Sequence, residues 1–176
     1  MCSDLDLSKK LASIAKYVSV KNGECILRAG ERTEYICLVI SGVVRGYYLD
    51  DEGNDITKCF SMENDWCCSY SYMSKLPSPF FIETIDDTIL ARFDINEINT
   101  FIDKYPVFRK KVEQLLGEML VRSEQRIRSL MSLEAKDRYL MLLDEQPELF
   151  KRVKQEYIAS YIGVTPSSLS RIKKSL

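Results

Sequence analysis

An α+β fold is predicted, with an all-β front and a helical rear that ends in a helix-turn-helix. Three observations predict it. From Val18 to Asp94, short runs rich in β-branched and aromatic residues alternate with turn signals. Beyond Asp94 the apolar period becomes helical, and from Leu116 to Leu130 it forms a heptad seam. The last 23 residues, Lys154 to Leu176, pair two short amphipathic segments across a glycine.

Leu5 to Ala15 reads as an amphipathic helix. The strand runs include Tyr35 to Ile40, Val43 to Leu49 and Thr88 to Phe93. Turn signals at Asn22-Gly23, Ala29-Gly30, Ser41-Gly42 and Asp51 to Asn54 separate them. Many short strands with regular turns suggest a jelly-roll-like barrel or sandwich.

Asn96 to Lys104 is predicted as a short helix, and Pro106 opens a long one reaching about Leu130. Leu116, Leu120, Ser123, Ile127 and Leu130 recur at spacings of 4, 3, 4 and 3. Val112 and Met119 widen the stripe. Arg122, Glu124, Arg126 and Arg128 flank it, which favours a second copy of the helix as partner over packing on the chain's own barrel. Leu133 to Gln146 is a further helix, with Ala135, Tyr139, Leu140 and Leu143 as its expected buried face. Pro147 ends it.

In the C-terminal stretch, Ile158, Ala159 and Ile162 share one face. Gly163 suits the turn, Thr165 can N-cap the second helix, and Pro166 fits its first position. Leu169 and Ile172 face inward, leaving Ser167, Ser170, Arg171 and Lys174 outward. These are the features of a helix-turn-helix whose second helix enters the DNA major groove. A plain helical hairpin is the other reading of the spacing alone. Charge favours the first. Residues 151–176 carry six basic and one acidic side chain, whereas residues 1–103 carry 10 basic and 17 acidic ones. A basic tail suits a phosphate backbone, and an acidic front is repelled by it.

The chain's 176 residues allow one or two domains. No apolar run approaches a membrane span, and the polar N-terminus lacks a signal-peptide core, so a cytoplasmic protein with no membrane partner is expected. The six cysteines are expected to be reduced, with Cys25, Cys37 and Cys59 as buried packing residues. No C-x-x-C is present, and no metal site is expected. There is no histidine, which excludes histidine-ligated haem and histidine-based catalytic pairs. No enzymatic activity is expected.

The glycine frame in Asn22 to Glu31, Leu38 to Val44 and Asp51 to Asn54 resembles the bacterial Crp/Fnr family of transcription factors. So do Ser132 to Leu143 and, most specifically, Y-I-A-S-Y-I-G-V-T-P-S-S-L-S-R-I-K-K (Tyr157 to Lys174). The resemblance covers nearly the whole chain. It implies a cyclic-nucleotide-binding-like β-roll (a double-stranded β-helix) over residues 1–104. A dimerisation helix over 105–131 and a winged-helix-like helix-turn-helix domain over 132–176 follow. It also implies a homodimer on double-stranded DNA, with RNA polymerase as a further candidate partner. Base contacts fall at Pro166, Ser167 and Arg171, and phosphate contacts at Lys154, Thr165 and Ser168. Pro166 and Ser167 stand where the family commonly has Arg-Glu, so a different target sequence is expected.

The family's nucleotide-binding members use a Gly-Glu pair and, about ten residues later, an Arg-Ser or Arg-Thr. Cys68-Ser69 and Ser78-Pro79 occupy those places here, so cyclic nucleotide is disfavoured as cofactor. Only Cys2 lies near the N-terminus, which disfavours a four-cysteine iron–sulfur cluster. An unidentified small-molecule effector remains, with Trp66, Cys67, Cys68, Tyr70, Tyr72, Phe80 and Phe81 as its candidate pocket. Those residues as plain barrel filling, with Cys67 and Cys68 as two inert thiols, is the simpler alternative. A β-roll that acts through protein contacts is the alternative function.

Overall fold

The structure is a computed structural model that describes residues 4–176; Cys2 lies outside them. In chain order, helix α1 (Asp4–Ser13) is followed by strands β1 (Lys16–Val20), β2 (Cys25–Leu27), β3 (Tyr35–Ser41), β4 (Val44–Leu49), β5 (Asp55–Ser61) and β6 (Trp66–Cys67). Helix α2 (Tyr70–Ser74) leads to β7 (Phe81–Thr84) and β8 (Thr88–Asp94). The rest is helical: α3 (Ile95–Lys104), α4 (Pro106–Ser132), α5 (Ala135–Glu145), α6 (Leu149–Arg152), α7 (Gln155–Tyr161) and α8 (Pro166–Lys174). Two four-stranded sheets form, in the orders β1-β8-β3-β6 and β2-β7-β4-β5. The predicted α+β architecture is the one observed.

Alternation along the central strands explains the packing. In β3 and β8, Cys37, Val39 and Leu90 point to one face, while Ile36, Ala91 and Phe93 point to the other. The first set joins Val20, Leu27, Val44 and Ile82 from both sheets, so it fills the interior of the roll. The second set packs under helices, with Leu7, Ile98, Phe101 and Phe108. Asp94 ends β8 and starts α3 by accepting from the amides of Asn96 and Glu97.

Gly42 turns the chain between β3 and β4 at φ +110°, and a Cβ there would lie 2.3 Å from Thr88 Oγ1. Only glycine fits. Arg45, in β4, is wholly buried and pairs with Glu83 at 3.2 Å. Such a pair contributes little net stability but is costly to break from the Glu83 side, because Arg45 alone is an uncompensated buried charge.

The chain divides into two compact units, residues 1–45 with 60–117 and residues 46–59 with 118–176. In the second, the buried face of α5 differs from the expected one. Tyr139 is buried as predicted, but its partner is Leu142, whereas Leu140 and Leu143 are exposed. Tyr139 meets Phe150 edge-on, with ring centres 5.4 Å apart. That contact joins α5 to α6, and the inward stripe is Tyr139 and Leu142, at i and i+3. The cysteine expectation holds for Cys37, whereas Cys25 is exposed and Cys59 is half-buried. Cys25 sits at a register shift of the β2–β7 pairing, where strand alternation breaks down.

Candidate functional site

The basic C-terminal stretch forms two helices on one small core. Ile158, Ala159, Ile162 and Leu169 are each no more than 1% exposed. Burying a side chain the size of Leu169 contributes about 1.5–3 kcal/mol. Gly163 turns the chain at φ +72°, and the Val164 amide donates to the Ala159 carbonyl at 3.0 Å. Thr165 caps α8, its hydroxyl accepting from the Ser168 amide at 3.2 Å, and Pro166 occupies the first turn.

Two arginines finish the turn. The Arg126 guanidinium lies 3.8 Å from the centre of the Tyr161 ring and donates to the Tyr161 carbonyl. Arg138 Nε donates to the Ile162 carbonyl at 2.7 Å, and its guanidinium also reaches the Leu133 carbonyl. Carbonyls at a helix C-terminus lack intrahelical partners, and cations are favoured there. Side chains of α4 and α5 thereby hold the C-terminus of α7, where the turn into α8 begins. In the sequence Arg126 stands only as a flank of the heptad seam, and no local spacing marks Arg138.

The outward side chains emerge as the spacing requires. Lys154, Thr165, Pro166, Ser167, Ser170, Arg171 and Lys174 are exposed, and Ser168 is half-buried. Arg171 donates to Ser168 Oγ at 3.1 Å, which steers its guanidinium toward the start of α8. Lys173 instead reaches back to Gln155 Oε1 at 3.1 Å.

Along α4 the seam residues divide. Val112 packs on the apolar cluster under the sheet, and Met119 is half-buried. Leu116, Ser123 and Leu130 are exposed, as are Leu120 (63%) and Ile127 (50%). The stripe therefore remains on the surface of this single chain over more than three helical turns.

The seven candidate pocket residues do not share one environment. Cys67, Cys68, Tyr70 and Phe80 meet in the interior cluster, where Tyr70 and Phe80 pack edge-on at 5.6 Å. Trp66 and Tyr72 belong to the cluster under the helices, with Trp66 5.3 Å from Phe93 and the Tyr72 hydroxyl donating to Asn99 at 2.7 Å. Phe81 is half-buried on β7. Ser78 is 1% exposed and donates to the Phe80 carbonyl at 2.8 Å, and Pro79 is exposed. Lys75 places its ammonium 4.8 Å above the Tyr72 ring.

Cys67 and Cys68 meet a third thiol, that of Cys37, which sits in a strand run whose pattern alone marks it as packing. Cys37 pairs with Cys67 across β3 and β6, and the sulfurs of Cys37, Cys67 and Cys68 lie within 4.8 Å of one another. Hydrogen bonds from the Cys67 and Cys68 thiols lower the Cys37 pKa, with a smaller contribution from Arg92. Donating to Cys37 raises Cys67 and Cys68 in turn.

Residues 17–105, just over half of the chain, match the profile of the cyclic nucleotide-binding domain. The chain is similar to the fumarate and nitrate reduction regulatory protein of Yersinia pestis, at 18% identity over 87% of this chain. It is also similar to the anaerobic regulatory protein of Haemophilus influenzae, at 15% identity over 87% of this chain. It spans 65% and 63% of the lengths of these two relatives. Its fold is that of FixK2 from Bradyrhizobium japonicum, with a TM-score of 0.82, 21% identity, and coverage of 93% of this chain and 84% of that one.

Proposed function

The chain belongs to the Crp/Fnr family of transcription regulators, and from that membership we propose that it is a homodimeric, sequence-specific DNA-binding regulator. The observation that carries this reading is the exposed face of α8. A capped helix presents Ser167, Ser170, Arg171 and Lys174 outward while Leu169 is buried behind them. Arg171 can donate two hydrogen bonds to a guanine edge, worth about 1–3 kcal/mol of discrimination. Lys154, Thr165 and Ser168 approach phosphates and set affinity and register. Functionally, residues 1–104 serve as the sensor, 105–131 as the dimer helix and 132–176 as the DNA-binding part.

The exposed stripe of Leu116, Leu120, Ile127 and Leu130 supports pairing of two copies through α4. Two α8 helices then enter successive major grooves one turn apart. RNA polymerase is a further partner in this reading.

The sensor part does not fit a cyclic nucleotide. A cyclic phosphate needs a cation and the ribose an acceptor. Where the cation would stand are a buried serine (Ser78) and an exposed proline (Pro79), and where the acceptor carboxylate would stand is the half-buried, uncharged Ser69, after the buried Cys68. A regulator of this kind performs no catalysis and works in the cytoplasm. No helix among the described residues is long and apolar enough to cross a membrane.

The test is retention of genomic DNA fragments by the purified protein at two salt concentrations, followed by sequencing. Enrichment of a two-fold symmetric site is expected. Weak, sequence-blind retention would contradict the reading.

A further inference from the structure

We propose that Cys37, Cys67 and Cys68 form a buried three-sulfur site for a trivalent thiophilic metalloid, taken up as arsenite. The inference is independent of DNA binding.

Geometry comes first. The three sulfurs lie within 4.8 Å of one another, and their residues are 1%, 6% and 2% exposed. Three sulfurs on one pyramidal centre, at a bond length of about 2.3 Å, sit about 3.5 Å apart. Small side-chain rotations therefore suffice to bind. Consecutive strand residues ordinarily face opposite ways, so Cys67 and Cys68 would not share a site in a regular strand. Here β6 ends at Cys67, and Cys68 takes a left-handed conformation at φ +59°. That turn brings the second sulfur back to the first. A non-glycine residue in this region is strained, and such strain clusters at binding and switch sites. The Thr33 hydroxyl holds the turn by donating to the Cys68 carbonyl at 3.2 Å.

The donor set then selects the ion. All three ligands are soft sulfur, and no carboxylate belongs to the group. Zinc favours four ligands in a tetrahedron, and this site offers three within the apolar interior. Charge separates the remaining thiophilic ions. Three thiolates around a monovalent ion leave two net negative charges inside the roll and around a divalent ion one, and both would have to lean on Arg92, the cation that acts on Cys37 and Cys68. An uncompensated buried charge is strongly disfavoured. A trivalent centre leaves none. The reaction needs no oxidant. Arsenous acid, As(OH)₃, loses three As–O bonds and gains three As–S bonds. The three thiol protons leave with the hydroxides as three waters, and arsenic stays trivalent.

Access is through the sheet edge. β6 has two residues and is the terminal strand of its sheet, paired only with β3. Loading would tie β6 to β3 and fix the start of α2.

The experiment is arsenite binding to the full chain under a phosphine reductant, read by native mass spectrometry and arsenic X-ray absorption. Expected is one arsenic per chain with three protons lost, and a shell of three sulfurs and no oxygen. Cys37→Ser, Cys67→Ser and Cys68→Ser should each lose the three-sulfur shell. A chain carrying Cys2→Ser, Cys25→Ser and Cys59→Ser should keep it. The wild-type spectrum keeps the proposal falsifiable should a variant fail to fold. Retained oxygen neighbours, loss of binding in the Cys2/Cys25/Cys59 variant, or uptake of copper(I) but not arsenite would overturn it.

Discussion

The backbone amide of Thr57 donates to the hydroxyl of Ser160 at 2.8 Å, and that hydroxyl donates to the Asp55 carbonyl at 3.2 Å. One side chain of α7 thus closes onto β5 through both its donor and its acceptor. Thr57 is 1% exposed, so its amide has no ready access to water. Ser160→Ala should destabilise this unit by about 1–3 kcal/mol, the cost of a buried donor left without its acceptor. Hydrogen exchange at the Thr57 amide should accelerate by the corresponding factor. Exchange unchanged from wild type would show that the bond carries no stability.

Gly163 makes a second prediction. A Cβ at this position would sit 3.3 Å from Leu130 Cδ2, on a residue at φ +72°. Gly163→Ala should cost about 1–2 kcal/mol through the left-handed backbone alone. Thermal unfolding should show a lower Tm. A more stable variant would mean that the turn is not held as described.

The dimer reading predicts that Leu120→Lys converts the protein to a monomer. Leu120 is 63% exposed in the single chain, so the substitution should leave the fold intact. Sedimentation velocity measures both states. A monomeric wild type, or a dimeric variant, would contradict pairing through this face of α4.

The turn between β4 and β5 predicts a pH effect. Asp50 accepts from the Asn54 side chain at 3.1 Å and from the amides of Asn54 and Glu52 at 2.8 and 3.0 Å. These bonds, the Asn54 side chain first, hold its carboxyl below the ordinary 3.8. The folded pKa is the lower one, so the turn's stabilisation is complete above about 3.8 and fades as pH falls through the folded value. NMR titration of the Asp50 carboxyl should give a midpoint below 3.8. A midpoint at or above it would contradict the bonding.

Much of this was legible in local pattern. Period-2 runs located β3, β4 and β8, and the Thr165-Pro166 pair located the start of α8. What escaped depends on distant pairing. Nothing local says that Cys37 faces Cys67, because the β3–β6 register is set by the whole roll. Trp66 and Tyr72 looked like neighbours of Cys67 and Tyr70, yet they pack in the other cluster. Helix α2 is only five residues long, too short for a 3.6-residue period to stand out. The buried Arg45 is illegible because of distance, since its partner Glu83 is 38 positions away.

The central claim is that α8 reads DNA while the residues around it hold the backbone. Its most direct test is the affinity of wild type, Arg171→Ala and Lys154→Ala for the enriched duplex and for every single-base substitution of it. Arg171→Ala should lose about 1–3 kcal/mol and flatten preference at one position per half-site. Lys154→Ala should weaken all duplexes alike and lower the salt slope by about one. If both variants bind the whole panel as wild type does, α8 is not the recognition helix.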